Sequence, residues 1–252
     1  PYIKLIQLKE NLGYAKAINV GVENSISDYL LLSNSDIVFL EKSIEELFQP
    51  IIEKKADITG PQQLFPDLSW QESYSIFPWI RLGLADFSLY RTIRRNILRK
   101  FYCKVALDTK TKKVDFVDGA LIACTRDIFK NAGGFDEDFF FYSEETAFCY
   151  NAHLKGGRIY FVPESKIIHY RGASSGGFKI KPEREINVIN SKLKFCRKFR
   201  SKFETKLFIM LEANFYLLLG LIAKFIKPHK KAIGTDQYLE LYKLWKNAKY
   251  EE

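Results

Sequence analysis

The segment 29–39, YLLLSNSDIVF, sets the fold class. An apolar run suited to a buried strand stops at Ser33 and is followed by Asn34 and Asp36. In open α/β sheets, ligands bind at the carboxyl ends of the strands, where such polar residues collect. An Asx turn that ends the strand would use the same residues. Upstream, Tyr14, Ile18, Val22 and Ile26 recur every four positions, a helical stripe, and residues 2–8 read as another strand. Downstream, Ile44, Leu47, Phe48, Ile51 and Ile52 predict an amphipathic helix that Pro50 should kink or shorten. ADITG (56–60) opens a further strand. This strand–helix alternation predicts an α/β fold around a mostly parallel sheet flanked by helices.

Further along, VDFVDGALIAC (114–124) reads as one strand, with Thr125 as the N-cap of a helix that Gly133 and Gly134 stop. A second helix is expected from about Glu144 to Lys155, and RIYFVP (158–163) and KIIHY (166–170) read as strands. The character changes after about residue 176. Residues 183–226 read as helical, basic first and then apolar, ending in LFIMLEANFYLLLGLIAKF (207–225). That run has spanning length, but Glu212, Asn214 and Lys224 interrupt it. It suits an amphipathic helix on a membrane surface, or packing on the domain. Two regions are therefore expected, 1–176 and 177–252.

The chain has 252 residues and a net charge of +9, so an anionic partner is favoured. Residues 91–100, RTIRRNILRK, are the densest basic run, yet no nucleic-acid motif accompanies the charge. Cys103, Cys124, Cys149 and Cys196 show no metal-site or disulfide spacing and are read as reduced thiols of a cytosolic protein.

Four segments have the residues for chemistry. In NLGYAKAINVG (11–21), Asn11 and Gly13 lead into a helix whose N-terminal N–H groups suit a phosphorylated ligand. Asn19 lies inside that helix, although Asn prefers caps. Asp36 could hold Mg²⁺ or Mn²⁺ against diphosphate oxygens. In GGFDEDFFFYSEETAF (133–148), Glu144 and Glu145 either favour a helix start through its dipole or, beside apolar side chains, serve as a general base. His169 ends a strand and is either structural or a metal ligand.

The order and spacing of these segments resemble the inverting GT-A glycosyltransferases, and most closely their bacterial rhamnosyltransferase-like branch, over roughly residues 2–176. The resemblance implies a GT-A, Rossmann-like nucleotide-diphospho-sugar transferase fold with a C-terminal helical region. By the same resemblance, Asn11, Gly13 and Asn19 lie near the nucleotide-sugar. Asp36 matches the last acid of the D-x-D metal motif, and Asn34 stands for its first. Gly119 and Ala120 match small residues beside the donor sugar and acceptor. Glu145, preceded by Glu144, stands where the family has its base, and His169 matches a histidine near the diphosphate or metal. The implied partners are a nucleoside-diphosphate sugar, a lipid-linked glycan acceptor and an anionic membrane surface on the cytoplasmic face.

The sequence departs from the family pattern at Ala147, where a second acid is usual, and at Cys149-Tyr150-Asn151, where Cys-x-Arg is usual. Family members also begin with a nucleotide-binding strand ahead of the segment matching 11–21. The chain is expected to lack that strand and to bind nucleotide weakly. These departures leave a non-catalytic, sugar-nucleotide-binding or partner-binding relative as the alternative.

Overall fold

The computed structural model describes residues 3–86, 107–139, 142–170, 182–224 and 235–248. The basic run 91–100, Cys103, Phe140, Phe141, His229 and residues 171–181 lie outside the described residues. The chain forms two compact units. The first comprises Pro1–Gln62, Glu72–Ser75 and Thr109–Ile167, and the second Gln63–Gln71, Ile76–Asp108 and Ile168–Glu252.

In the first unit, helix α1 (Tyr14–Glu23) leads to strands β1 (Tyr29–Ser33) and β2 (Ile37–Phe39) and helix α2 (Ser43–Ile52). Strand β3 (Ile58–Leu64), the short β4 (Tyr74–Ser75), β5 (Lys112–Lys113) and β6 (Phe116–Val117), and β7 (Leu121–Thr125) follow. Helix α4 (Arg126–Asn131), helix α5 (Glu144–Leu154) and strand β8 (Ile159–His169) complete this part of the chain. The main sheet has the order β1-β7-β3-β8-β2, with β5 paired to β8. Strand β7 runs antiparallel to β1, placing Leu31 opposite Ala123, and antiparallel to β3, placing Ile58 opposite Cys124. Strands β1 and β3 therefore point the same way on either side of an antiparallel β7. The sheet is mixed.

Side-chain alternation along β1 and β7 divides the core. Leu31, Leu121 and Ala123 join Leu47 and Ile51 of α2, together with Val162 and Ile167 of β8, in one apolar cluster. By the same alternation Leu30, Leu32, Ile122 and Cys124 point to the other face, and all four are buried. β1 alternates between buried and exposed positions instead of being buried throughout, because it lies at the end of the strand order. Helix α2 runs through Pro50, whose missing N–H removes the bond to the Glu46 carbonyl, and stops at Ile52.

Local expectations fail in four places. Residues 3–8 form no strand, and Ile3 and Leu5 are exposed, since the segment has no ladder to join. Helix α1 ends at Glu23, leaving Ile26 at 98% exposure outside it. The segment 114–124 is two strands, β6 and β7, separated by Asp118-Gly119-Ala120. The segments 158–163 and 166–170 join in one strand, β8, in which the buried Ser165 donates to the Ser43 carbonyl at 2.7 Å. Thr125 caps α4 as expected, its Oγ1 accepting from Ile128 N, and Gly133 and Gly134 both adopt positive φ after the helix.

A close approach fixes the Asp118–Ala120 turn. A Cβ at Gly60 of β3 would stand 2.4 Å from Val117 Cβ, and Val117 is fully buried. Gly60→Ala must therefore push β6 away from β3. The expected result is a loss of about 1–3 kcal/mol of stability, read as a lower denaturant midpoint; an unchanged midpoint would contradict the close approach.

In the second unit, helix α3 (Ile80–Asp86) packs on α7 (Lys202–Ala223), which also packs against α6 (Pro182–Phe199) and α8 (Thr235–Asn247). Gly83 of α3 makes room for Leu211 of α7, Phe77 stacks on Phe195 at 6.1 Å, and the Cys196 thiol donates to the Pro78 carbonyl at 2.9 Å. The helical stretch expected over 183–226 is two helices. Ser201 and Glu204 form a capping box that starts α7 afresh, the Ser201 hydroxyl accepting from Glu204 N and the Glu204 carboxylate accepting from Ser201 N.

Candidate active site

Glu144 and Glu145 open α5 from a distorted turn. Tyr142 (φ 72°) and Ser143 (φ 68°) are both left-handed without being glycine. Two such residues in succession store strain on the order of 1–3 kcal/mol each, the kind that clusters at functional sites. Glu144 is 5% exposed, and its Oε2 has no hydrogen-bond partner among the described residues. Burial, with the Asp118 carboxylate nearby, pushes its carboxyl up to about 7. Glu145 is half-buried, and Thr146 Oγ1 donates to its Oε1 at 3.2 Å. Its carboxyl is also held well above the ordinary carboxylate range, by burial first and then by Glu144 and Asp118.

The turn between β6 and β7 rests on these carboxylates. A Cβ at Gly119 would lie 3.4 Å from Glu145 Cβ, so a larger side chain there would crowd Glu145. Asp118 Oδ1 accepts from Ala120 N at 3.1 Å, and Asp118 N donates to the Ser73 carbonyl at 2.9 Å. The buried Ala120 accepts on its carbonyl from Asn34 N at 2.9 Å, which brings the end of β1 to this turn. Tyr14 of α1 donates its hydroxyl to the Gly119 carbonyl at 3.0 Å. Burial, followed by Glu144, Glu145 and Asp118, drives the Tyr14 phenol strongly upward, so it remains a neutral donor.

The structure thus brings Asn34, Gly119, Ala120, Glu144 and Glu145 together. It adds Tyr14 and Asp118, which the sequence did not single out. Asp118 precedes the small pair that was noticed, and a carboxylate in that turn was the available signal. Tyr14 was hidden in an apolar helical stripe.

Asn19 is occupied with the backbone of the loop before α5. Its Oδ1 accepts from Phe135 N at 2.9 Å and its Nδ2 donates to the Phe135 carbonyl at 2.8 Å and to Glu137 at 3.1 Å. That clamp explains an Asn in a helix interior. Phe135 then packs against Tyr14, Phe129 and Phe148, which links α1, α4 and α5. Asn11 and Gly13 form a turn ahead of α1, with Asn11 Oδ1 accepting from Gly13 N at 3.0 Å and Gly13 at φ 84°.

Asp36 is half-buried in the connection from β1 to β2, in the first unit. His169 is buried in the second unit, its Nδ1 2.9 Å from Oε1 of both Gln63 and Gln71. Gln71 Nε2 also donates to the His169 carbonyl at 3.1 Å, which fixes how that amide is turned. Two carbonyl oxygens facing Nδ1 place a proton there. Among the described residues no group of three or more His, Cys, Asp or Glu is arranged to hold a metal ion.

Comparison with known proteins bears on the fold and the family. The chain is 25% identical over 188 residues to the N-acetylglucosaminyl-diphospho-decaprenol L-rhamnosyltransferase of Mycobacterium tuberculosis, covering 70% of this chain and 61% of that protein. It is 27% identical over 146 residues to the rhamnosyltransferase WbbL of Escherichia coli K12, covering 57% and 52% respectively. The chain therefore spans less than two thirds of either relative. Among solved structures it superposes on the mannosyltransferase PcManGT of Pyrobaculum calidifontis, determined with GDP-Man and Mn²⁺. The TM-score is 0.55 at 12% identity, over 96% of this chain and 68% of that one. The fold is GT-A. Residues 1–133, more than half of the 252, match Glycosyl transferase family 2, and the chain belongs to that family.

Proposed function

We propose that the chain is an inverting sugar transferase, moving rhamnose from a nucleoside-diphosphate donor to a hydroxyl of a lipid-linked glycan at the cytoplasmic face of the membrane. The observation that carries this reading is the Glu144–Glu145 pair at the head of α5, seated on the Gly119 turn. The named rhamnosyltransferase relatives support the sugar and the lipid-linked acceptor. In the reaction, the acceptor oxygen attacks the anomeric carbon while its proton passes to Glu145. The bond from that carbon to the diphosphate oxygen breaks, and its electron pair leaves with the nucleoside diphosphate. One displacement inverts the centre.

Glu145 is the less buried residue of the two and takes the proton. Glu144, buried beside it, raises the proton affinity of the pair. Tyr14 and Asp118 hold the Gly119 turn, so the floor on which the acceptor meets the donor sugar stays in register with the base. Asn11, Gly13, Asn34, Gly119 and Ala120 contribute to the donor site, and Asn19 shapes it through Phe135.

Asp36 is the residue that would hold Mg²⁺ or Mn²⁺. One half-buried carboxylate, without a three-ligand cluster among the described residues, suits a hard cation shared with the donor's diphosphate. Bound there, such a cation would supply positive charge against the departing diphosphate.

The test is transfer of labelled rhamnose from its nucleoside diphosphate to prenyl-diphosphate-linked N-acetylglucosamine, with the product's anomeric configuration read by NMR. An inverted rhamnosyl product is expected. Donor binding without transfer to any acceptor would favour the non-catalytic alternative instead.

A further inference from the structure

Helix α7 has two faces of different character. One is committed to protein: Thr205, Phe208, Glu212, Phe215, Leu219 and Ala223 are buried. Glu212 lies 3.7 Å from Lys192 of α6, Phe208 meets the Trp245 ring of α8 at 5.6 Å, and Gly220 sits beneath Leu239. The other face is open and apolar. Phe203 is 74% exposed, and Met210, Leu218 and Leu221 are exposed as well. At 100° per residue these four, with the half-buried Leu207 and Leu217, fall on one stripe. From Phe203 to Leu221 the stripe runs about 27 Å.

The one polar residue within it is masked, since Asn214 Nδ2 donates back to the Met210 carbonyl at 2.9 Å. Lys202, Lys206 and Lys224, all exposed, line a single edge of the stripe, and no acid lies inside it.

We propose that this face of α7 docks on an anionic phospholipid surface, with Phe203, Met210, Leu218 and Leu221 entering the acyl boundary and the lysine row meeting the headgroups. This deepens the reading of a transferase for a lipid-linked acceptor and rests on it. The charge of the edge selects the occupant. An apolar stripe bordered by lysines on one flank matches an interfacial helix on a negative leaflet, where each lysine adds attraction. The helix is long and apolar enough to cross a membrane, with a mean hydropathy of 1.7. Its buried face, with Glu212 against Lys192, is held by the neighbouring helices. The helix lies in the surface plane.

Vesicle flotation of the whole chain tests the proposal, using phosphatidylcholine alone and phosphatidylcholine with phosphatidylglycerol. The protein is expected to float with the anionic vesicles. Phe203→Ser combined with Leu221→Ser should lower its partition at least tenfold, and Lys206→Gln combined with Lys224→Gln should remove the preference for anionic lipid. Both variants change exposed positions, so unchanged melting confirms the fold. Transfer to a water-soluble, short-chain acceptor should stay at the parent level in both, which separates this proposal from the transferase reading. A parent protein that stays out of both vesicle fractions overturns the proposal. So does a parent dimer that the serine variant dissociates, because the occupant would then be a second copy.

Discussion

Glu145→Gln lowers the transfer rate by about two to four orders of magnitude while donor affinity stays nearly constant. The substitution keeps the size of the side chain and its polar contact with Thr146, and removes only the capacity to take a proton. The packing of Glu145 on Gly119 is preserved, so the donor site should keep its shape. The loss belongs to the chemical step and should appear in kcat, with KM for the donor little changed. A second signature comes from pH. Burial, Glu144 and Asp118 all raise the Glu145 carboxyl, so the parent enzyme must lose that proton before it can work. Its rate should go on climbing with pH past about 5, where an ordinary glutamate would level off. Glu144→Gln removes a negative neighbour and should shift this rise to lower pH. Turnover of Glu145→Gln at the parent level would take Glu145 out of the base role.

How far these residues could be read beforehand depended on whether their effect was local. The apolar run of β1, the Thr125 cap and the paired glycines after α4 act within a few residues, and each stands where the pattern placed it. The helix start at Glu144 was equally legible, because acids in a first turn and a later Gly156-Gly157 are chain-local signals. Failures came where a distant partner decides. Ile26 fits the helical period but lies past the end of α1. The break at Asp118–Ala120 follows from the close packing of Val117 on Gly60, more than fifty residues away in sequence. The break before α7 was written in Ser201 and Glu204, but a strong apolar period on either side hid it.

The site divides in the same way. Acids and small residues in the right order marked Glu144, Glu145, Gly119 and Ala120. Tyr14 and Asp118 reach them only through the folded sheet. Asn19 was noticed for its odd position, and its clamp on Phe135 required the loop before α5 to return to α1. The pairing of Gln63 and Gln71 on His169 depends on β3, the segment after it and β8 converging, which no spacing announces.

Glu144→Gln should stabilise the fold at neutral and alkaline pH. The Glu144 carboxyl moves from 4.5 to about 7 on folding, chiefly because burial removes water from its charged form. A carboxyl whose folded value is raised favours the fold fully below its unfolded value. That contribution disappears as pH rises from about 4.5 through about 7, because the folded chain retains a proton that the unfolded chain has released. At about 1.4 kcal/mol per unit, the difference between pH 4.5 and pH 8 is roughly 3 kcal/mol. Because Glu144 and Glu145 titrate together, the whole pair shapes the pH curve. Gln at position 144 removes one titration and the repulsion of Glu145. The melting temperature at pH 8 should rise by several degrees, and the gain should vanish near pH 4.5. Calorimetry or dye melting across that range checks the sign, and a gain that does not vary with pH would show that position 144 acts through packing alone. Asp118→Asn should show the same trend more weakly, since its charge ranks below burial as a cause of the Glu144 shift. A buried acid with an unpaired Oε2 is a poor choice for stability. Its presence beside Glu145 is reasonable only if the proton affinity it confers is used, and the same substitution that hardens the fold should then lower that affinity and move the rise in rate to lower pH.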